Sequence, residues 1–101
     1  MTPLAITLAV FASAATAHDW YEPVCCSGRD CVPIRASAVV TDGGWLVRLA
    51  PADHPMLNVG AEYFVPYEDF RVRPSQDDRF HVCISNVERY LLCLYVPEGK
   101  G

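Results

Sequence analysis

Five cysteines and three histidines are the side chains of this 101-residue chain best suited to cross-linking or to binding a transition metal. Cys25, Cys26 and Cys31 crowd into seven positions, and Cys83 and Cys93 follow near the other end. The spacing contains no C-x-x-C pair, so neither a zinc ribbon nor a thioredoxin-like redox centre is expected. A thiolate site would have to combine His81-x-Cys83 with Cys25-Cys26. Thiols outside the cytoplasm tend to oxidise, and five cysteines then predict two disulfides and one odd thiol. Adjacent Cys25 and Cys26 do not suit a bond with each other. Cys83 and Cys93 fall on successive strands and can pair across them, or each can reach back to the 25–31 cluster. The second arrangement is preferred, because closing a long loop stabilises by about 3–5 kcal/mol per bond. The odd cysteine can bridge two copies into a disulfide-linked dimer or stay buried.

The histidines raise a different chemistry. Residues 1–17 carry no charged side chain, hold the apolar block Leu4–Ala12 and end Ala15-Thr16-Ala17, the pattern of a secretory signal. The n-region lacks Lys and Arg, and the block is short for a membrane span of about 20 residues. Cleavage after Ala17 is expected, leaving a single small domain, residues 18–101, with His18 as its first residue. Cys does not stand at the cleavage point, which argues against a lipoprotein. The amine and imidazole of His18 would then form a chelate that, with His54 or His81, supplies the nitrogen-rich set copper(II) favours. This resembles the histidine brace of lytic polysaccharide monooxygenases and of small periplasmic copper carriers. The plainer reading is that His18 merely follows the cleavage site, His54 caps a loop and His81 packs on a strand.

Other groupings are smaller. Arg71, Arg73 and Arg79 form either a basic stripe for an anionic partner or a solvated strand face. Trp20 and Tyr21 offer either an exposed aromatic contact or core filling. Adjacent Asp77 and Asp78 could touch calcium but read more simply as a solvated turn. No nucleophile–base–acid set and no glycine-rich phosphate loop is present, so no enzymatic activity is expected. The net charge of −4 makes a nucleic-acid partner a poor fit and indicates no partner class.

The elements that must position these residues read as strands. Residues 18–33 are turn-rich, with Pro23, Gly28 and Pro33 among the breakers. Val39–Thr41 and Trp45–Leu49 flank Asp42-Gly43-Gly44 as a hairpin, with Trp45, Val47 and Leu49 inward. Residues 50–60 form a loop, and Glu62–Pro66 is a third strand. Tyr67–Asp69 could make one helical turn. Phe70–Pro74 alternates, with Phe70 and Val72 on one face and Arg71 and Arg73 on the other. Arg79–Ser85 and Tyr90–Val96 are apolar on both faces. They suit the centre of a small barrel, or a sheet covered by the N-terminal segment. On this alternation Leu92 and Leu94 share one face, opposite Leu91, Cys93 and Tyr95. The expected fold is all-β: a small disulfide-stapled barrel or sandwich-like sheet of five to six strands with an irregular N-terminal segment.

The pattern His18-Asp-Trp20-Tyr21-x-Pro-x-Cys25-Cys26-x4-Cys31-x-Pro, followed by Val-Pro-Tyr, Arg-Phe80-His81-Val-Cys83 and a final Cys93-x-Tyr-Val-Pro, resembles an uncharacterised family. Its members are short, signal-peptide-bearing hypothetical proteins of alphaproteobacteria and their phages. The resemblance runs from His18 to Pro97, implies export and cross-linking, and carries no activity. Together these readings describe a periplasmic or secreted, non-enzymatic binding or inhibitor-type module. It would have a protein or envelope partner, no membrane span after cleavage and no cofactor. Copper binding through His18 is the alternative.

Overall fold

The computed structural model describes residues 20–25, 31–86 and 88–99. They form seven strands: β1 (Cys31–Ile34), β2 (Val39–Thr41), β3 (Trp45–Leu49), β4 (Ala61–Val65), β5 (Val72–Pro74), β6 (Phe80–Ile84) and β7 (Leu91–Val96). A three-residue 3-10 turn at Ala36–Ala38 is the helical element among the described residues. The strands divide into a four-stranded sheet, ordered β1-β6-β7-β5, and a three-stranded sheet, ordered β2-β3-β4. The result is a sandwich of two sheets, not a closed barrel, with one or two strands more than the sequence pattern indicates.

The three-stranded sheet follows from its alternation. Trp45, Val47 and Leu49 are buried, while Arg48 between them is exposed. Gly43 takes the left-handed conformation the hairpin turn requires (φ 74°), and the Asp42 N–H donates to the Gly44 carbonyl. Gly44 is needed for a second reason. A Cβ there would stand 2.5 Å from the Phe64 ring, which folds over the hairpin base.

β6 and β7 occupy the middle of the other sheet, and every residue of β6 is buried. One face packs Phe80, Val82, Ile84, Leu94 and Val96 against Trp45, Val47, Leu49 and Val65 of the opposing sheet. The other face carries Cys83, Cys93 and Tyr95 and is covered by Tyr21 and Cys25, with Trp20 and Leu92 at its margin. Leu92 departs from simple alternation. The β6–β7 register jumps from Cys83↔Cys93 to Ile84↔Leu91, so Leu92 is the extra residue of a bulge. The bulge turns Leu91 into the inter-sheet core and Leu92 to the other side.

Phe70 is a second departure, because it is 81% exposed rather than inward. The Asp69 N–H donates to the Pro66 carbonyl and the Val72 N–H to the Asp69 carbonyl, so residues 66–72 form consecutive turns. β5 begins only at Val72, where it runs parallel to β7.

Two disulfides join the N-terminal segment to the central strands. Cys25 bonds Cys93 across 68 residues and Cys31 bonds Cys83 across 52. Of the two pairings the spacing allows, this is the one that reaches back to the 25–31 cluster. Cys26 lies outside the described residues. Such bonds persist outside the reducing cytoplasm, so the chain belongs to an oxidising, extracytoplasmic environment. Among the described residues, no helix is long and apolar enough to cross a membrane.

Candidate functional site

The covered face of the four-stranded sheet brings together several residues that the sequence singles out. His81, on β6, is 3% exposed and holds both ring nitrogens in hydrogen bonds. Its Nε2 lies 2.8 and 3.0 Å from the two Asp77 carboxylate oxygens, and its Nδ1 lies 2.7 Å from the Tyr21 hydroxyl. A carboxylate can only accept, so Nε2 carries a proton toward Asp77, and Nδ1 of a neutral ring would accept from the Tyr21 hydroxyl. Burial would push the Asp77 carboxyl up. The hydrogen bonds from His81, from the Arg79 N–H and from Ser75 outweigh it and hold the group below the usual carboxylate range. Trp20 and Tyr95 wall the cluster, with Trp20 edge-on to His81 at 4.7 Å and to Tyr95 at 5.0 Å.

Trp20 and Tyr21 are therefore not an exposed aromatic contact. Tyr21 is 8% exposed, and Trp20 packs beside it. So small a domain needs both rings to seal the second face of its central strands. The basic stripe is also altered. Arg71 donates twice to Asp69, each bond 2.9 Å, and holds that carboxyl down at about 2; Arg73 pairs with Glu22. Paired with acids, Arg71 and Arg73 do not present free cations. Only Arg79 keeps its guanidinium without a described partner. Asp78 is exposed beside it.

Of the metal candidates, His18 lies outside the described residues. His54 is fully buried in the 50–60 loop, where its Nδ1 accepts from the Met56 N–H at 3.0 Å, so it does cap a loop. His81 packs on its strand. No cluster of three or more His, Cys, Asp or Glu suited to a metal occurs among the described residues.

A groove that sequence reasoning missed opens where the two sheets meet at one end. It encloses about 850 Å³ and draws on five chain segments. Thr41 and Trp45 flank the hairpin turn, Tyr67 follows β4, Arg73 and Ser75 come from β5 and its end, and Glu98 follows β7. Tyr67, 47% exposed, meets the buried Trp45 edge-on at 5.4 Å, forming an aromatic rim. Residues so far apart in sequence leave no local spacing; the one signal was Tyr67 after Pro66, an aromatic just past a strand end.

Comparison with family models, curated proteins and solved structures returns no match. Geometry alone therefore ranks the two sites. The Tyr21–His81–Asp77 chain could relay a proton, but its phenol is sealed by neighbouring rings. The groove is open and amphipathic, and one wall continues from β7, which the Cys25–Cys93 bond anchors; this suits it to retaining a ligand.

Proposed function

We propose that this chain is an exported, non-enzymatic binding or inhibitor-type module of the bacterial envelope, freed from a signal peptide at residues 1–17, which holds a protein partner in the groove at the sheet ends. The groove carries the reading: an aromatic rim at Tyr67, a hydroxyl at Thr41 and the carboxylate of Glu98 combine apolar and polar contacts in one cleft. The test is a photo-crosslinking amino acid placed at Tyr67 and, as a control, at Val59, which is 65% exposed and outside the groove. In the living cell envelope, position 67 should give a discrete heavier adduct and position 59 none. Equal labelling at both positions, or none at 67, would overturn the reading.

A second reading, copper binding through His18, rests on one contact. Tyr21 stands three residues after His18 in sequence and hydrogen-bonds His81. His81 would first have to release Asp77 or Tyr21. Under the binding-module reading, the native mass of the exported protein begins at His18 and stays unchanged when one equivalent of copper is added. Uptake of one copper, lost on His18→Ala, would put the copper reading first. The same spectrum shows whether Cys26 links two copies.

A further inference from the structure

The two sheets have four outer strands, and three of them have lost donors along their open edges. In β1, Pro33 stands opposite His81 and has no N–H. In β5, Arg71 and Ser75 bond toward β7, so Val72 and Pro74 face outward. The Val72 N–H is already given to Asp69, and Pro74 has none. In β2, the Val39 N–H is given to Ala36, leaving Thr41 at the hairpin tip. These are the devices by which natural sheets keep extended chains from adding to their edges.

β4 has none of them. The bond from the Asp42 N–H to the Gly44 carbonyl fixes the hydrogen-bonding phase of the hairpin. Thr41↔Trp45 is then a non-bonded pair, Val40↔Leu46 a bonded one, and Trp45, Val47 and Leu49 turn their backbone groups toward β4. Their partners Val65, Tyr63 and Ala61 are thereby satisfied. Glu62 and Phe64 face the other way, and no described residue meets their N–H and C=O groups. Two donors and two acceptors, one strand repeat apart, stand open on a five-residue strand whose register with β3 has no shift. Beside them the outer face carries a cross-strand apolar row, Val40–Leu46–Phe64, in which Val40 is 42% and Phe64 50% exposed.

We propose that the β4 edge takes an extended peptide segment of a partner protein as an added strand, hydrogen-bonded to the backbone of Glu62 and Phe64. The site is separate from the groove, and the proposal does not depend on it. Unpaired strand backbone is complementary to another strand, so the occupant must be extended. Side chains select it: an apolar residue beside Phe64 extends the apolar row, and a basic residue suits Glu62, whose side chain is 61% exposed although paired with Arg48. A second copy fits less well. Two-fold pairing about Tyr63 sets the Glu62 of one copy opposite the Phe64 of the other. A five-residue edge also falls well short of the roughly 800 Å² per partner typical of a stable dimer.

The test uses the whole exported protein with its disulfides intact. The probe is a synthetic capped peptide of alternating valine and lysine, with a control in which the valines are replaced by proline. Amide hydrogen exchange is followed by NMR. The valine–lysine peptide should slow exchange at Glu62 and Phe64 by about tenfold or more and leave Thr41 unchanged, whereas the proline control should slow neither. Phe64→Pro, which removes one edge donor, should abolish the effect, and Phe64→Ala should weaken it; Glu62→Pro replaces Phe64→Pro should that variant not fold. Exchange unchanged by the peptide, or slowed at the groove instead, overturns the proposal. So does slowing in concentrated protein without peptide, which would make a second copy the occupant.

Discussion

Replacing Cys25 and Cys93 together by alanine should lower the stability of the domain by about 3 kcal/mol, a drop in Tm of roughly 12–24 °C for a domain this small. The figure follows from the nesting of the bonds. Cys31–Cys83 lies inside Cys25–Cys93 in sequence, with 52 residues between its ends against 68. Alone, either bond closes a long loop worth about 4 kcal/mol of unfolded-state entropy. Once one is present, the other closes only the short path along 25–31 and 83–93, worth about 3 kcal/mol. Each single loss should therefore cost less than half the double loss, which reaches about 7 kcal/mol and exceeds the margin of many small domains. Urea unfolding of the two single-bond variants and of the reduced protein measures all three values. Near-zero cost for either bond would show that packing of Tyr21 and Tyr95 alone holds the N-terminal segment.

The bond pairing and the sandwich share one legible cause. Strands apolar on both faces need two covers, and the cysteine-rich segment was the available second cover, although its end, read as turn-rich, forms the edge strand β1 from Cys31. The hairpin was legible because Asp42-Gly43-Gly44 and the Trp45, Val47, Leu49 alternation agree on one register. Leu92 was not, since a bulge inserts one residue without altering composition or spacing. Phe70 misled because a period-2 pattern is indifferent to the Asp69 turn that starts β5 late. The acid partners of the arginines lay partly in view: Asp69 is two residues from Arg71, whereas Glu22 is 51 residues from Arg73. The groove was the least legible feature, because it exists only after two sheets converge.

His81→Ala should be the most damaging single substitution on the covered face, costing about 2–4 kcal/mol. It opens a cavity beneath Trp20 and Tyr95 and leaves the buried Tyr21 hydroxyl without its Nδ1 acceptor. Tyr21→Phe removes one hydrogen bond while keeping the ring, so about 1–2 kcal/mol is expected. Asp77→Asn should cost least at neutral pH, because an amide oxygen can still accept from Nε2 and the site is 42% exposed. Its signature lies in the pH profile. The Asp77 carboxyl is held below its unfolded value of 3.8, so its stabilisation is complete above that value and is lost as pH falls through the folded one. Wild-type stability should thus fall through this acid window more steeply than that of Asp77→Asn. The His81→Ala variant, lacking the donor that holds the carboxyl down, should resemble Asp77→Asn in slope while starting from a lower plateau. A His81→Ala profile as steep as wild type would place the restraint on Asp77 with Ser75 and the Arg79 N–H instead, and would reduce His81 to a packing residue.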